Sequence, residues 1–139
     1  MINILIIDDD NDDSDFLRDA IQQISPRTNC TIASSSDEAL KGLQTKTISR
    51  PDLIFLDLNM PRINGMQCLR ELKATASLTE IPVVIYTTSK SHDQNVESLR
   101  LGASHFITKP SAFRHLCQII TDVFAKECNS HRSWERNRS

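Results

Sequence analysis

The chain has 139 residues, of which 39% are hydrophobic and 24% charged, with a formal net charge of −2. That length suits one domain around one sizeable core. The mild acidity lacks the basic footprint that direct nucleic-acid binding needs, and no apolar run approaches the roughly 20 residues required to span a bilayer.

The opening "MINILIIDDD" has no basic region before its apolar stretch, so it does not read as a signal peptide. The first predicted strand, Ile2–Ile7, runs straight into "DDDNDD". Phe16, Leu17, Ala20, Ile21 and Ile24 then form the apolar stripe of a helix, with Asn11 or Asp12 as its cap. Cys30–Ala33 predicts a second strand, and a helix follows around Ala39–Leu43 with Ser36 as cap. The third strand, Asp52–Asp57, is apolar between its two carboxylates and reads as buried on both faces. Gly65 is placed in the loop before a third helix around Met66–Leu72. Pro82–Thr87 predicts the fourth strand, and the helix around Val96–Leu101, closed by Gly102, has the weakest apolar stripe. His105–Thr108 is the fifth strand, followed by the stripe Phe113, Leu116, Cys117, Ile120, Val123 and Phe124. Residues 1–126 form one domain on this reading, and "ECNSHRSWERNRS" at 127–139 is expected to be a loosely ordered polar tail. The four cysteines, Cys30, Cys68, Cys117 and Cys128, have no CxxC spacing, which favours reduced thiols in a cytoplasmic protein over a zinc site.

Strand–helix alternation five times over implies parallel strands joined by right-handed crossovers. The expected fold is α/β, a doubly wound five-stranded sheet with helices on both faces. In such a sheet, sites form outside the carboxyl ends of the strands. Asp8 and Asp9 stand at the end of the first strand, Asp57 at the third, Thr87 and Thr88 at the fourth, and Lys109–Pro110 at the fifth. Crowded carboxylates repel and call for a cation. Hard oxygen donors with room for water suit Mg²⁺. A metal, an ammonium and a hydroxyl around one carboxylate are what in-line phosphoryl transfer to that carboxylate requires. Asp57, between the acid pair and the Thr and Lys, is the expected acceptor. Strand alternation lets only one of Thr87 and Thr88 face the site.

These residues resemble the receiver domain of bacterial two-component response regulators, from about Ile2 to Phe124. The features that carry the resemblance are Asp8–Asp9, the "DLNMP" segment holding Asp57, Thr87, Phe106 and the Lys109–Pro110 pair. It implies a flavodoxin-like sheet of order 2-1-3-4-5, and Mg²⁺ held by Asp8, Asp9, Asp57 and the backbone carbonyl of Asn59. It selects Thr87 as the phosphate-contacting hydroxyl beside Lys109 and makes Thr87 and Phe106 the switch. Asn59 and Ser89 then tune hydrolysis of the acyl phosphate, and Pro110 is a candidate for a cis peptide bond. The implied phosphoryl donor is a histidine kinase or a histidine phosphotransfer protein. The implied output is a protein target, or a second copy of the chain, on the face made by helix 4, strand 5 and helix 5, with no membrane or nucleic-acid partner. A stand-alone receiver is expected, because the segment after Lys126 is too short for a helix-turn-helix.

Other readings compete. Asp12 and Asp13 have a sufficient structural reason in the dipole of the first helix. An EF-hand loop beginning at Asp8 fails, since Asp13 stands where Gly is needed and Asp19 where Glu is needed. A phosphatase of haloacid dehalogenase type needs an Asp two residues after the nucleophile, where this chain has Asn59. A flavodoxin needs a phosphate-cradling loop where this chain has "DDDNDD". The four histidines are scattered, and none is a convincing ligand.

Overall fold

The computed structural model describes residues 2–60 and 64–130. The elements alternate from β1 (Asn3–Ile7), α1 (Asn11–Ile24), β2 (Asn29–Ala33), α2 (Ser36–Thr45) and β3 (Leu53–Leu56) to α3 (Gly65–Ala74), β4 (Val83–Thr87), α4 (His92–Arg100), β5 (His105–Thr108) and α5 (Phe113–Ser130). All strand pairs are parallel, and the order is β2-β1-β3-β4-β5. Chain order reverses between β1 and β3, where Ile7 lies opposite Leu56. The residues just past that pair are Asp8 and Asp57, so the switch point of the sheet carries the acids.

Alternation along each strand splits the core in two. Ile4, Ile6, Phe55 and Tyr86 face Leu17 and Ile21 of α1 and Leu116 and Ile120 of α5. Leu5, Ile7, Ile54, Leu56, Val83 and Ile85 face Ala39 of α2 and Leu69 and Leu72 of α3. Each such side chain contributes about 1.5–3 kcal/mol on burial. Truncating Phe55 to Ala, at the centre of the first layer, would cost about 3–5 kcal/mol.

The helix starts differ by a residue or so from the sequence reading. Asp10, not Asn11 or Asp12, caps α1 by accepting the Asp13 amide at 3.0 Å. Ser35, not Ser36, caps α2 through the Glu38 amide at 3.1 Å, while Ser36 is buried. Runs of Asp and Ser offer several competent caps, and the turn that brings Leu17 and Ala39 onto the core selects one. Gly65 is the first residue of α3 rather than a loop residue, with Asn64 as cap. Gly102 closes α4 at φ 109°, a conformation suited to glycine.

The last helix runs to Ser130, past the boundary predicted at 126. Glu127 is buried there, and its carboxylate lies 2.8 Å from Nε2 of His105 on β5. A polar residue interrupts the apolar stripe but not the helix, because a partner across the layer satisfies it. The predicted tail from 131 onward lies outside the described residues. Among the described residues no helix is long and apolar enough to cross a membrane.

Candidate phosphoryl-transfer site

Backbone bonds fix the strand ends before any side chain is considered. Asp8 N–H donates to Ala33 O at 3.1 Å, and Asp57 N–H to Ile7 O at 3.0 Å. Lys109 N–H donates to Thr87 O at 2.7 Å, and Thr108 Oγ1 to Ser89 O at 3.0 Å. Five loops are thereby held side by side at one edge of the sheet.

Asp8, Asp9 and Asp57 present carboxylate oxygens that all lie within 4.8 Å of one another. Asp8 and Asp57 are buried and Asp9 is exposed, so the cluster opens to water on one side. Burial raises the Asp8 carboxyl to about 6 from an ordinary 3.8, and the charge of Asp57 adds to the rise. A hydrogen bond from Lys109 and one from the Asp10 amide offset it in part. Three oxygen acids of this kind fit a hard divalent cation that keeps several waters.

Lys109 crosses to these acids from β5. Its side chain is only 8% exposed, and its ammonium donates to Asp8 Oδ2 at 2.8 Å and to Asp13 Oδ2 at 2.8 Å and lies 3.7 Å from Asp57 Oδ2. Burial works against its charge, yet hydrogen bonds to Asp13 and Asp8 and the charge of Asp57 together hold it above the ordinary lysine value. The same ammonium sits 5.4 Å from the centroid of the Tyr86 ring, a cation–π contact beneath the acids. The Lys109–Pro110 bond is trans, as is every peptide bond among the described residues, which corrects the expectation of a cis bond at Pro110. The trans isomer is intrinsically preferred before proline by about 0.5–1 kcal/mol, and from it Lys109 already reaches Asp8.

Thr87 is fully buried at the end of β4 while Thr88 is exposed, so the pleat leaves Thr87 alone facing the site. Its Oγ1 accepts from Asn59 Nδ2 at 3.3 Å and from the Ser89 amide at 3.4 Å. Asn59 also donates its backbone N–H to Asp57 Oδ1 at 3.3 Å. Phe106, on β5, is half-buried and packs against the second core layer rather than against the acids.

Three residues escaped the sequence reading. Asp13 was accounted for by the helix dipole, yet it grips Lys109. Tyr86 read only as part of an apolar strand. Gly65 read as a loop glycine, but a Cβ there would collide with the carbonyl oxygen of Asp57 and crowd Leu58 Cα. An acid in the first turn of α1, four to five residues after the acid pair, was the only signal that pointed to Asp13.

Comparison with known proteins identifies the family of the chain. The response regulator receiver domain matches residues 4–121, and the chain belongs to that family. Response regulator Rcp1 of Synechocystis is 29% identical over 124 residues, covering 86% of this chain and 84% of Rcp1. A protein-glutamate methylesterase/protein-glutamine glutaminase of Methanococcoides burtonii is 30% identical over 136 residues, but the chain, 96% covered, spans only 37% of that protein. Among solved structures, the Mn²⁺-bound form of Rcp1 superposes with a TM-score of 0.79 at 28% identity, covering 88% of this chain and 91% of that one. The phosphorylated cyanobacterial phytochrome response regulator RcpA gives 0.80 at 30% identity, covering 88% and 90%. Receiver domains are signalling switches of two-component systems that bind a divalent cation at an acidic pocket, and the acid cluster here fits such a pocket.

Proposed function

We propose that this protein is a phosphorylation-dependent switch whose acceptor is Asp57, charged by a phosphohistidine of a histidine kinase or phosphotransfer protein. The observation that carries the reading is the convergence of Asp8, Asp9 and Asp57 with a buried lysine from the far end of the domain. In the transfer, an Asp57 carboxylate oxygen forms a bond to phosphorus as the phosphorus–nitrogen bond of the donor breaks, and the imidazole keeps the electron pair and takes a proton. Hydrolysis reverses the charge: water adds to phosphorus, the acyl oxygen–phosphorus bond breaks and the carboxylate returns. The chain catalyses its own modification and its reversal, and releases no small-molecule product beyond phosphate.

Mg²⁺, held by Asp8, Asp9, Asp57 and the Asn59 carbonyl, supplies positive charge to the phosphoryl oxygens when bound. Lys109 contributes the second positive charge. Both bonds at Thr87 Oγ1 are accepted, which leaves the hydroxyl hydrogen for a phosphoryl oxygen. Asn59 and Ser89, at the rim, control how water reaches the acyl phosphate.

Output is read on the face of α4, β5 and α5. Val96 and Leu99 of α4 are 50% and 46% exposed, and a groove of about 400 Å³ runs from Leu99 past Phe106, Ile119 and Val123. A protein target, or a second copy of the chain, docks there in a cytoplasmic setting, better after Thr87 and Phe106 have moved. The phosphatase reading loses ground because Asn59 carries an amide where an acid is needed, and a purely structural role does not explain three buried ionic groups at a strand edge.

The test is labelling with acetyl phosphate and Mg²⁺. Wild type should take one phosphoryl group, labile to base and hydroxylamine, and Asp57→Asn should take none. Equal labelling of that variant would end the assignment.

A further inference from the structure

We propose that Asp13 is a positioning residue of this site: it holds the Lys109 ammonium beside Asp8 and short of Asp57, keeping it from competing with the divalent cation for the acceptor carboxylate. The inference rests on the reading of Asp57 as acceptor, and it adds a residue that the acid pair, the threonine and the lysine do not include.

The geometry is unequal in a telling way. An ammonium has three donors. Two are spent at 2.8 Å, on Asp8 and Asp13, and Asp57 stays at 3.7 Å, beyond hydrogen-bond reach. Asp13 is itself fixed from two sides. Its amide is the one that Asp10 caps, at 3.0 Å, and three residues on, Phe16 meets Phe113 of α5 edge-on at a centroid distance of 5.5 Å. The first turn of α1 is thus clamped to α5, and the carboxylate is delivered to a lysine 96 positions away in sequence. A favourable interaction with the helix dipole explains an acid in this turn, but not its direction. Asp12 occupies the same turn and faces solvent, while Asp13 is 38% exposed and turned inward.

Removing Asp13 leaves the ammonium with one short partner and a second carboxylate, Asp57, at 3.7 Å. It moves onto Asp57. There it occupies oxygens that the divalent cation requires, and the cation binds less well. Asp13 therefore acts on the metal through Lys109, not merely as one more negative charge nearby.

That distinction can be measured on the unphosphorylated full chain by Mg²⁺ titration, with no phosphoryl donor present. Asp13→Asn should weaken Mg²⁺ binding about five- to tenfold when Lys109 is present, and by at most about twofold in a Lys109→Ala background, a coupling typical of residues in contact. Equal weakening in both backgrounds, or none in wild type, would overturn the proposal. A second measurement does not depend on the Lys109 variant folding. In metal-free protein the side-chain carboxylate carbon resonance of Asp57 should shift on Asp13→Asn, as the ammonium arrives; an unmoved resonance would overturn the proposal too. Loss of Asp57 labelling is read in a separate experiment, so failure of the acceptor assignment and failure of the Asp13 role remain distinguishable.

Discussion

The Lys109 ammonium stands 3.7 Å from the Asp57 carboxylate, close enough to be attracted and too far to be hydrogen-bonded. Neutralisation of Asp57 is thus left incomplete. On the proposed reading of Asp57 as acceptor, its electron pairs stay available to a metal and a phosphorus atom, with a cation one small movement from the product.

Lys109→Ala should destabilise the metal-free domain by about 3 kcal/mol, because it strips the cation from a buried pair and leaves Asp8 uncompensated. Added Mg²⁺ should restore much of that loss, since it neutralises the same carboxylates, and labelling at Asp57 should persist while the conformational response fails. Urea unfolding with and without Mg²⁺ checks the first part. A loss that Mg²⁺ leaves untouched would separate the lysine from the acid cluster.

Asp8 gives the site a pH dependence with a definite sign. Its carboxyl is raised to about 6 from 3.8, so between these values the folded state holds more protons than the unfolded chain. In metal-free protein the contribution of this group to stability is greatest below 3.8 and is lost as pH rises to about 6. Metal takes the ionised form. Mg²⁺ affinity should therefore fall about tenfold per pH unit below 6 and level off above it, as measured by titration between pH 5 and 8. Asp8→Asn should flatten the profile, and a wild-type profile already flat would exclude Asp8 as a ligand.

Thr87→Ala should separate phosphorylation from response. The hydroxyl that follows the phosphoryl group is gone, but the acceptor, acids and lysine remain. Labelling should persist, slowed by no more than about tenfold, the loss expected for one ordinary hydrogen bond of about 0.5–1.5 kcal/mol. Phosphorylation-induced chemical-shift changes in α4 and β5 should vanish in the variant. Thr87→Ser, which keeps the donor, should retain them. Wild-type changes confined to the loops around Asp57 would refute a route through Thr87 and Phe106.

Gly65→Ala should be costly beyond ordinary helix propensity, where Ala is the better residue. The added methyl meets the backbone at Asp57 and Leu58, which cannot swing aside as a side chain can. A loss of about 1–3 kcal/mol is expected, as for overpacking, with slower labelling because the acceptor loop must shift. Unchanged stability in thermal unfolding would show that α3 retreats freely.

The sequence by itself determined the alternation of five strands and five helices, the parallel doubly wound sheet and the edge on which polar groups gather. These follow from local periodicity, which the buried strands Leu53–Leu56 and Val83–Thr87 and the stripe of α5 display without help from distant residues. Asp57 stood out for the same reason, as a charge at the end of an apolar run. The pleat buries Thr87, the threonine that the family resemblance selects, and exposes Thr88; only tertiary structure selected Asp10 and Ser35 among several possible caps, and carried α5 on to Ser130 by supplying His105 for Glu127. It also turned Asp13 from one acid among six in "DDDNDDSD" into a partner of Lys109. Local pattern cannot distinguish an acid that faces water from one that faces a lysine nearly a hundred residues away, because the choice depends on how α1 packs against α5 and not on the turn that contains it.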